Sequence, residues 1–417
     1  MTTKKRSKKT VSKAKKAKEA KTIVEIDAKQ ERTGSAKKSG SKEIIREPAE
    51  KKFHLELAAL KEADKGNTKP VNWALSPQMV LSYILGSKKE HKIKANGKTV
   101  KVPITKKFYG DRHLVERAIV TLASDRGLLL VGEPGTGKSW LSEHLAAAIS
   151  GNSNLIIQGT AGTTEEQIKY SWNIALLIAE GPSRDCLIPS PTMHAMEEGK
   201  LLRFEEITRC HSDIQDSLVS IMSEKSMAIP ELSENNLVFA NHGFNVIATA
   251  NLRDKGVNEL SAALKRRFNY ITIPILKNLK TEVKLVEQRT QDLLLTSNFA
   301  VDLPSDVVEI LVQTFSELRE GRSAEGVRFT SPKAVMSTAE EIAVLYDAAI
   351  FADFFGSRLT KATKVSLKDV ARTLQGSIVK EDTSDLESLR EYWNLVLQRR
   401  TTDKNWKLLY DSGKALF

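Results

Sequence analysis

Five short apolar runs punctuate the middle of the chain: GLLLVG (127–132), NLIIQG (154–159), KLLRFEE (200–206), FNVIATAN (244–251) and NYITIPI (269–275). They do not alternate strictly with polar residues, as a strand with one wet face would. Stretches of helical periodicity separate them. Strands buried on both faces and joined by helices read this way, so the pattern predicts a parallel sheet covered on both sides. After Lys277 the period becomes helical throughout. LKTEVKLVEQRTQDLLL, SDVVEILVQTFSEL, SPKAVMSTAEEIAVLYDAAIF and SLKDVARTLQGSI each repeat apolar residues at spacings of three and four, with Ser305 and Ser366 at cap-like positions. Order is expected from near Trp73. There WALSPQMVLSYILG offers Ser76 as a cap and Pro77 at the first helical position, and KIKANGKTVKVPI alternates around Asn96-Gly97 as a hairpin. The expected divisions are a disordered tail over 1–70, a helix and hairpin leader over 71–112, an α/β domain over 113–278, a helical domain over 279–380, and a C-terminal helical extension over 381–417. In the extension, Trp393, Trp406 and Tyr410 are expected to pack against the body.

Charge changes this picture only at the N-terminus. Residues 1–52 hold 18 Lys/Arg against 7 Asp/Glu, so nearly all of the net charge of +12 lies there and the body is close to neutral. That segment is Lys, Ala, Ser and Thr with few apolar groups, a composition that favours disorder and gives at most non-specific contact with nucleic acid or another polyanion. Two cysteines, Cys186 and Cys210, exclude a disulfide framework or a four-cysteine metal site and fit a reducing, cytoplasmic setting. The seven histidines show no ligand spacing, and no apolar run reaches the length of a membrane span.

The chemistry concentrates behind the first apolar run. GEPGTGKS, comprising Gly132, Glu133, Pro134, Gly135, Thr136, Gly137, Lys138 and Ser139, fits the G-x-x-x-x-G-K-[ST] phosphate loop between a strand and a helix. Its glycines let backbone N–H groups converge on phosphate oxygens, and the helix start adds its positive end. Lys138 can reach the outer phosphates, and Ser139 can place its hydroxyl on Mg²⁺.

From about Phe108 to about Gln375 the chain resembles the AAA+ ATPases, and within them the MoxR-type, dynein-related branch. The resemblance rests on several motifs in order. FEEITR resembles the second Walker motif, which puts Glu205 where the family has a metal-binding Asp and Glu206 where it has the catalytic base. GFNVIATAN resembles the sensor-1 strand and places Asn251 at its end. LSAALKRRFNY resembles the helix that ends in the arginine finger; Arg267 is the match, and Arg266 beside it can share the role. FTSPKAV resembles the sensor-2 element, with Lys333 in place of Arg. SMAIPELSENNLVFANHG reads as the branch's pre-sensor hairpin, and 163–201 has room for its helix-2 insert.

The resemblance implies a P-loop α/β module with a five-stranded parallel sheet in the order 5-1-4-3-2 and an α-helical lid. It also implies ATP and Mg²⁺, with Ser139 and Glu205 toward the metal and Arg267 acting on the neighbouring subunit. The chain would form a homo-oligomeric ring, most simply hexameric, that remodels or activates a partner protein, such as one with a von Willebrand A domain. The alternatives are a nucleic-acid translocase gripping through the basic tail and a slow, nucleotide-gated scaffold. Strand alternation also puts Arg203 on the face of Glu205, where the two can pair and compete with Mg²⁺.

Overall fold

The computed structural model describes residues 45–95, 98–234, 236–251, 258–334, 336–356, 363–379 and 383–414. The Lys-rich stretch before residue 45 and the Asn96-Gly97 turn lie outside these. In chain order the elements are α1 (Ala49–Lys52), α2 (His54–Ala63), α3 (Pro77–Leu85), β1 (Ser87–Ala95), β2 (Lys98–Ile104), α4 (Arg112–Leu122), β3 (Gly127–Gly132), α5 (Lys138–Ser150) and β4 (Ile156–Gln158). The insert follows as α6 (Glu165–Ile168), β5 (Tyr170–Trp172), α7 (Ile174–Glu180), β6 (Leu187–Pro189) and α8 (Pro191–Glu198). Then come β7 (Leu201–Glu205), α9 (Ser212–Ser223), β8 (Ser226–Ala228), β9 (Leu237–Phe239), β10 (Asn245–Asn251), α10 (Ala262–Lys265) and β11 (Phe268–Thr272). The remainder is α11 (Leu279–Thr296), β12 (Val301–Asp302), α12 (Ser305–Glu320), α13 (Thr338–Phe355), β13 (Thr363–Lys364), α14 (Leu367–Ile378), α15 (Thr383–Leu395) and α16 (Lys404–Gly413).

The five apolar runs form one sheet in the order β11-β3-β10-β7-β4, with every pair parallel. Numbered by their own succession, this is 5-1-4-3-2. The register sets the C-terminal ends side by side: Asn251 lies opposite Gly132, and Gln158 opposite Glu205. Open α/β sheets bind ligands at this edge. Two cores flank the sheet. One gathers Leu129, Val131, Phe204 and Ala248; the other gathers Leu128, Leu130, Ile247 and Ile271 with Trp73, Val80 and Tyr83 from the leader. A third cluster, around Phe315, Tyr392 and Trp393, joins the helices after α11. Trp406 and Tyr410 pack against it.

Three expectations need correction. Helical order begins at Ala49, not near Trp73: α2 buries Leu55, Ala59 and Leu60, and its Glu56 forms a buried ion pair with Lys107. The short apolar period in HLELAAL is real but sits directly behind the basic stretch, which masks it. The chain after Lys277 is not wholly helical, because β12 and β13 pair in parallel. Finally, the helical period read over SPKAVMSTAEEIAVLYDAAIF does not become a helix at Lys333. The helix begins five residues later, behind Ser337, whose backbone N–H donates to Glu340 Oε2 at 3.2 Å. A capping box is a stronger start signal than a proline alone. The insert forms the antiparallel pair β5–β6, and β8 pairs antiparallel with β9 as the expected hairpin.

Candidate functional site

The phosphate loop leaves β3 and enters α5. Gly135 and Gly137 hold left-handed φ of 72° and 86°, which glycine adopts without penalty. A Cβ at Gly132 would stand 2.6 Å from the Ile273 carbonyl, and one at Gly135 would run into Ser337 at the start of α13. The loop is therefore closely flanked by β11 on one side and by the helical region on the other. Lys138 is buried, and its Nζ donates to the carbonyls of Gly132 (3.0 Å) and Glu133 (2.7 Å).

Beneath the loop, Glu205 collects four partners at the end of β7. Its Oε2 accepts from the hydroxyls of Ser139 and Thr249, each at 2.7 Å. Its Oε1 accepts from the Ser142 hydroxyl and from Arg203 Nη2, the latter at 2.8 Å. Burial pushes the Glu205 carboxyl upward, but the Arg203 charge and the three hydroxyls outweigh it, and the group sits below the usual carboxylate range. Thr249 also accepts from the Glu206 N–H at 2.9 Å, so one hydroxyl ties both glutamates to β10.

Glu206 has a left-handed φ of 54°, uncommon for any residue but glycine, asparagine or aspartate. This turns its half-exposed side chain off the strand, where it pairs with Arg209. A Cβ at Gly159 would collide with the Glu206 carbonyl, so the residue after β4 meets this turn as bare backbone. Asn251 closes β10 beside Gly132 and is buried. Lys138, Ser139, Glu205, Glu206 and Asn251 thus share one edge of the sheet.

Three further predicted residues are off this edge. Lys333 sits in a bend of the helical region and lines a cavity together with the phosphate loop, its backbone N–H donating to Asp385 Oδ1 at 2.6 Å. Arg266 and Arg267 stand at the opposite end of the sheet, where the Arg267 carbonyl accepts from Gly127 N. The length of β3 puts them roughly 15–20 Å from their own phosphate loop. Arg267 donates to Ser223 Oγ and to the Ala263 carbonyl (2.5 Å), whereas Arg266 is exposed.

Comparison with known proteins fits this arrangement. Residues 127–268 match the AAA domain of the dynein-related subfamily, and residues 280–416 match the YehL-like AAA+ ATPase C-terminal domain. The chain is 42% identical over 379 residues to the uncharacterized protein YehL of Escherichia coli K12, covering 89% of this chain and 98% of that one. The chain belongs to the YehL-like AAA+ ATPases, of MoxR-like type. The uncharacterized protein YojN of Bacillus subtilis is 28% identical over 200 residues, spanning 48% of this chain and 64% of its own length. The solved structure of NtrX from Brucella abortus in complex with ADP overlays with a TM-score of 0.43 at 11% identity, over 73% of this chain and 64% of that one, a likeness too distant to inform the site.

In this AAA+ protein a cavity of about 870 Å³ opens over the phosphate loop. Its walls come from Phe53 between α1 and α2, from the leader (Lys107, Tyr109), from α5 (Trp140) and from the helical region (Arg289, Ile342). Tyr109 and Gly110 line the cavity, while Asp111 turns away to cap α4 through the His113 N–H. Sequence reasoning missed Trp140 and Arg289. The Arg289 guanidinium lies 3.7 Å over the Trp140 ring, and both side chains donate to the Lys107 carbonyl, at 3.0 and 2.9 Å. Nothing local in the sequence pairs residues so far apart. Ser142 and Thr249 were legible in principle: Ser142 is one helical turn beyond Ser139, and Thr249 lies two residues before Asn251 on the same strand face.

Among the described residues no cluster of three or more His, Cys, Asp or Glu could hold a metal, and no helix is long and apolar enough to cross a membrane. The donor set at Ser139 and Glu205 is hard oxygen. That suits Mg²⁺, which is commonly held by one or two protein oxygens together with substrate phosphates.

Proposed function

We propose that this protein binds ATP in the cavity over the phosphate loop and hydrolyses it, using the energy to remodel a partner protein. The observation that carries the reading is the hydrogen bond between Ser139 Oγ and Glu205 Oε2, placed under the loop and tied through Thr249 to Glu206. Lys138 exchanges its loop carbonyls for phosphate oxygens, and the loop N–H groups bind the rest. Ser139 and Glu205 would hold Mg²⁺, which supplies charge neutralisation on the phosphates. Glu206 takes the proton of the attacking water, and Asn251 orients that water. Lys333 serves as the helical region's cation toward the nucleotide.

Arg266 and Arg267 are too far from their own loop to act there, so they complete the site of a neighbouring copy in a closed assembly. A hexameric ring is the simplest such assembly. The division into an α/β domain over 113–278 and a lid over 279–380 follows the same reading, with the remodelling of a protein such as one carrying a von Willebrand A domain as its output. The near-neutral body favours a protein client over a nucleic-acid track.

The deciding experiment is Glu206→Gln. The variant should bind ATP as the parent does and lose turnover by about 10²-fold or more. Hydrolysis at the parental rate would exclude Glu206 as the base.

A further inference from the structure

Arg203 is a guanidinium in the middle of a strand whose other residues are apolar up to the glutamates, and it is 7% exposed. Burying a charge costs several kcal/mol unless its donors are matched. Here they are. Nε donates to Ser142 Oγ at 3.0 Å, Nη1 to the Ser153 carbonyl at 2.9 Å, and Nη2 to the Ser139 carbonyl at 3.2 Å and to Glu205 Oε1 at 2.8 Å. The residue thus braces the first two turns of α5, which carry Ser139 and Ser142, against the end of β7.

The two oxygens of Glu205 are divided by this arrangement. Oε1 faces Arg203 and Ser142; Oε2 faces Ser139 and Thr249. An aspartate, shorter by one C–C bond of about 1.5 Å, cannot keep both sets.

We propose that Arg203 is a positioning residue for the metal-binding carboxylate: by occupying Oε1 it presents Oε2 alone toward Ser139, so that Arg203 and Glu205 work as one unit. This rests on the reading of Ser139 and Glu205 as metal-binding residues. It deals with the extra methylene of Glu205 directly, because the longer side chain is what lets one carboxylate serve an internal cation and the metal site together. Two residues that share one function do not contribute additively.

The test is a double-mutant cycle on the full chain, with Mn²⁺ in place of Mg²⁺ and its affinity read by electron paramagnetic resonance in the presence of ADP. Arg203→Met and Glu205→Asp should each weaken Mn²⁺ binding about tenfold or more. The double variant, which has an apolar residue with a short carboxylate, should return to within about threefold of the parent. Arg203→Met with parental Mn²⁺ affinity, or a double variant no better than Glu205→Asp, overturns the proposal. If Arg203→Met does not fold, the comparison of Glu205→Asp with the double variant decides by the same criterion. Binding of a fluorescent ADP in EDTA is measured for each, because Arg203 also donates to the Ser139 carbonyl, and Mn²⁺ affinities are compared at saturating ADP. A parent that binds this ADP but no Mn²⁺ overturns the metal reading and the proposal with it, whereas a parent that binds no ADP removes the nucleotide reading itself.

Discussion

At the scale of single residues, the site is a set of charges that burial would penalise and geometry repays. Glu205 shows the sign of the effect. Its folded pKa is depressed below 4.5, so it contributes stability that is present above that value and is lost as pH falls through the folded pKa. In Glu205→Gln the group cannot titrate. Its urea midpoint should therefore fall less steeply than the parent's as pH drops below about 4.5, although the variant starts lower because Arg203 loses its partner. Equal slopes would mean that the carboxylate is not held in the folded state. Glu205 and Glu206 also show how far local structure was legible. The strand ending at Glu205 could be read from KLLRFEE, but the left-handed turn at Glu206 could not, because nothing in FEEITR demands positive φ. The turn sets the Glu206 carbonyl against Gly159, where a Cβ would not fit, a contact that only the folded sheet creates. Lys107 is a further case: burial lowers its pKa to about 8 against the pull of Glu56, and FHLELAALKEA gives no hint of that partnership.

At the scale of elements, the parallel sheet was legible because its strands are continuous apolar runs, and the helices after Lys277 because their period is long. The elements that were misread are short or start late. At α1 and α2 a basic flank hides a brief apolar period, and at α13 a proline suggests a start that the capping box overrides. A buried cap helps to hold the insert together. Ser190 at the start of α8 accepts from the N–H groups of Thr192 (3.1 Å) and Met193 (3.2 Å) and donates to the Ile168 carbonyl at 2.7 Å, joining α8 to α6. Because Ser190 is buried, Ser190→Ala leaves these groups without water to replace it. The loss should be about 2 kcal/mol in chemical denaturation. A change within a few tenths would show that α8 is set by packing alone.

At the scale of the whole molecule, the proposed roles leave a single copy incomplete, because the Arg266–Arg267 pair stands at the other end of the sheet from the phosphate loop. An arginine supplied by a neighbour contributes about 10³-fold or more to turnover in comparable enzymes. Arg266→Ala should lose activity on that scale with an unchanged melting temperature, because its side chain is exposed. Arg267→Ala should in addition lower the melting temperature, because it releases Ser223 and the Ala263 carbonyl. Mixing either variant with Glu206→Gln should restore turnover, since each protein then supplies what the other lacks. Absence of rescue at any ratio would place the pair outside the reaction.

The Lys107 carbonyl has a consequence at this same scale. One oxygen receives Trp140 from the helix behind the phosphate loop and Arg289 from the helical region. A carbonyl oxygen has two lone pairs and needs only one bond to remain satisfied when buried. If the helical region swings away and takes Arg289 with it, Trp140 stays, and no acceptor is orphaned. Such a swing would release the Arg289 bond, its stacking on Trp140 and the bond from Tyr109 Oη to Gln288 Oε1, and would leave the Trp140 bond as a fixed bearing.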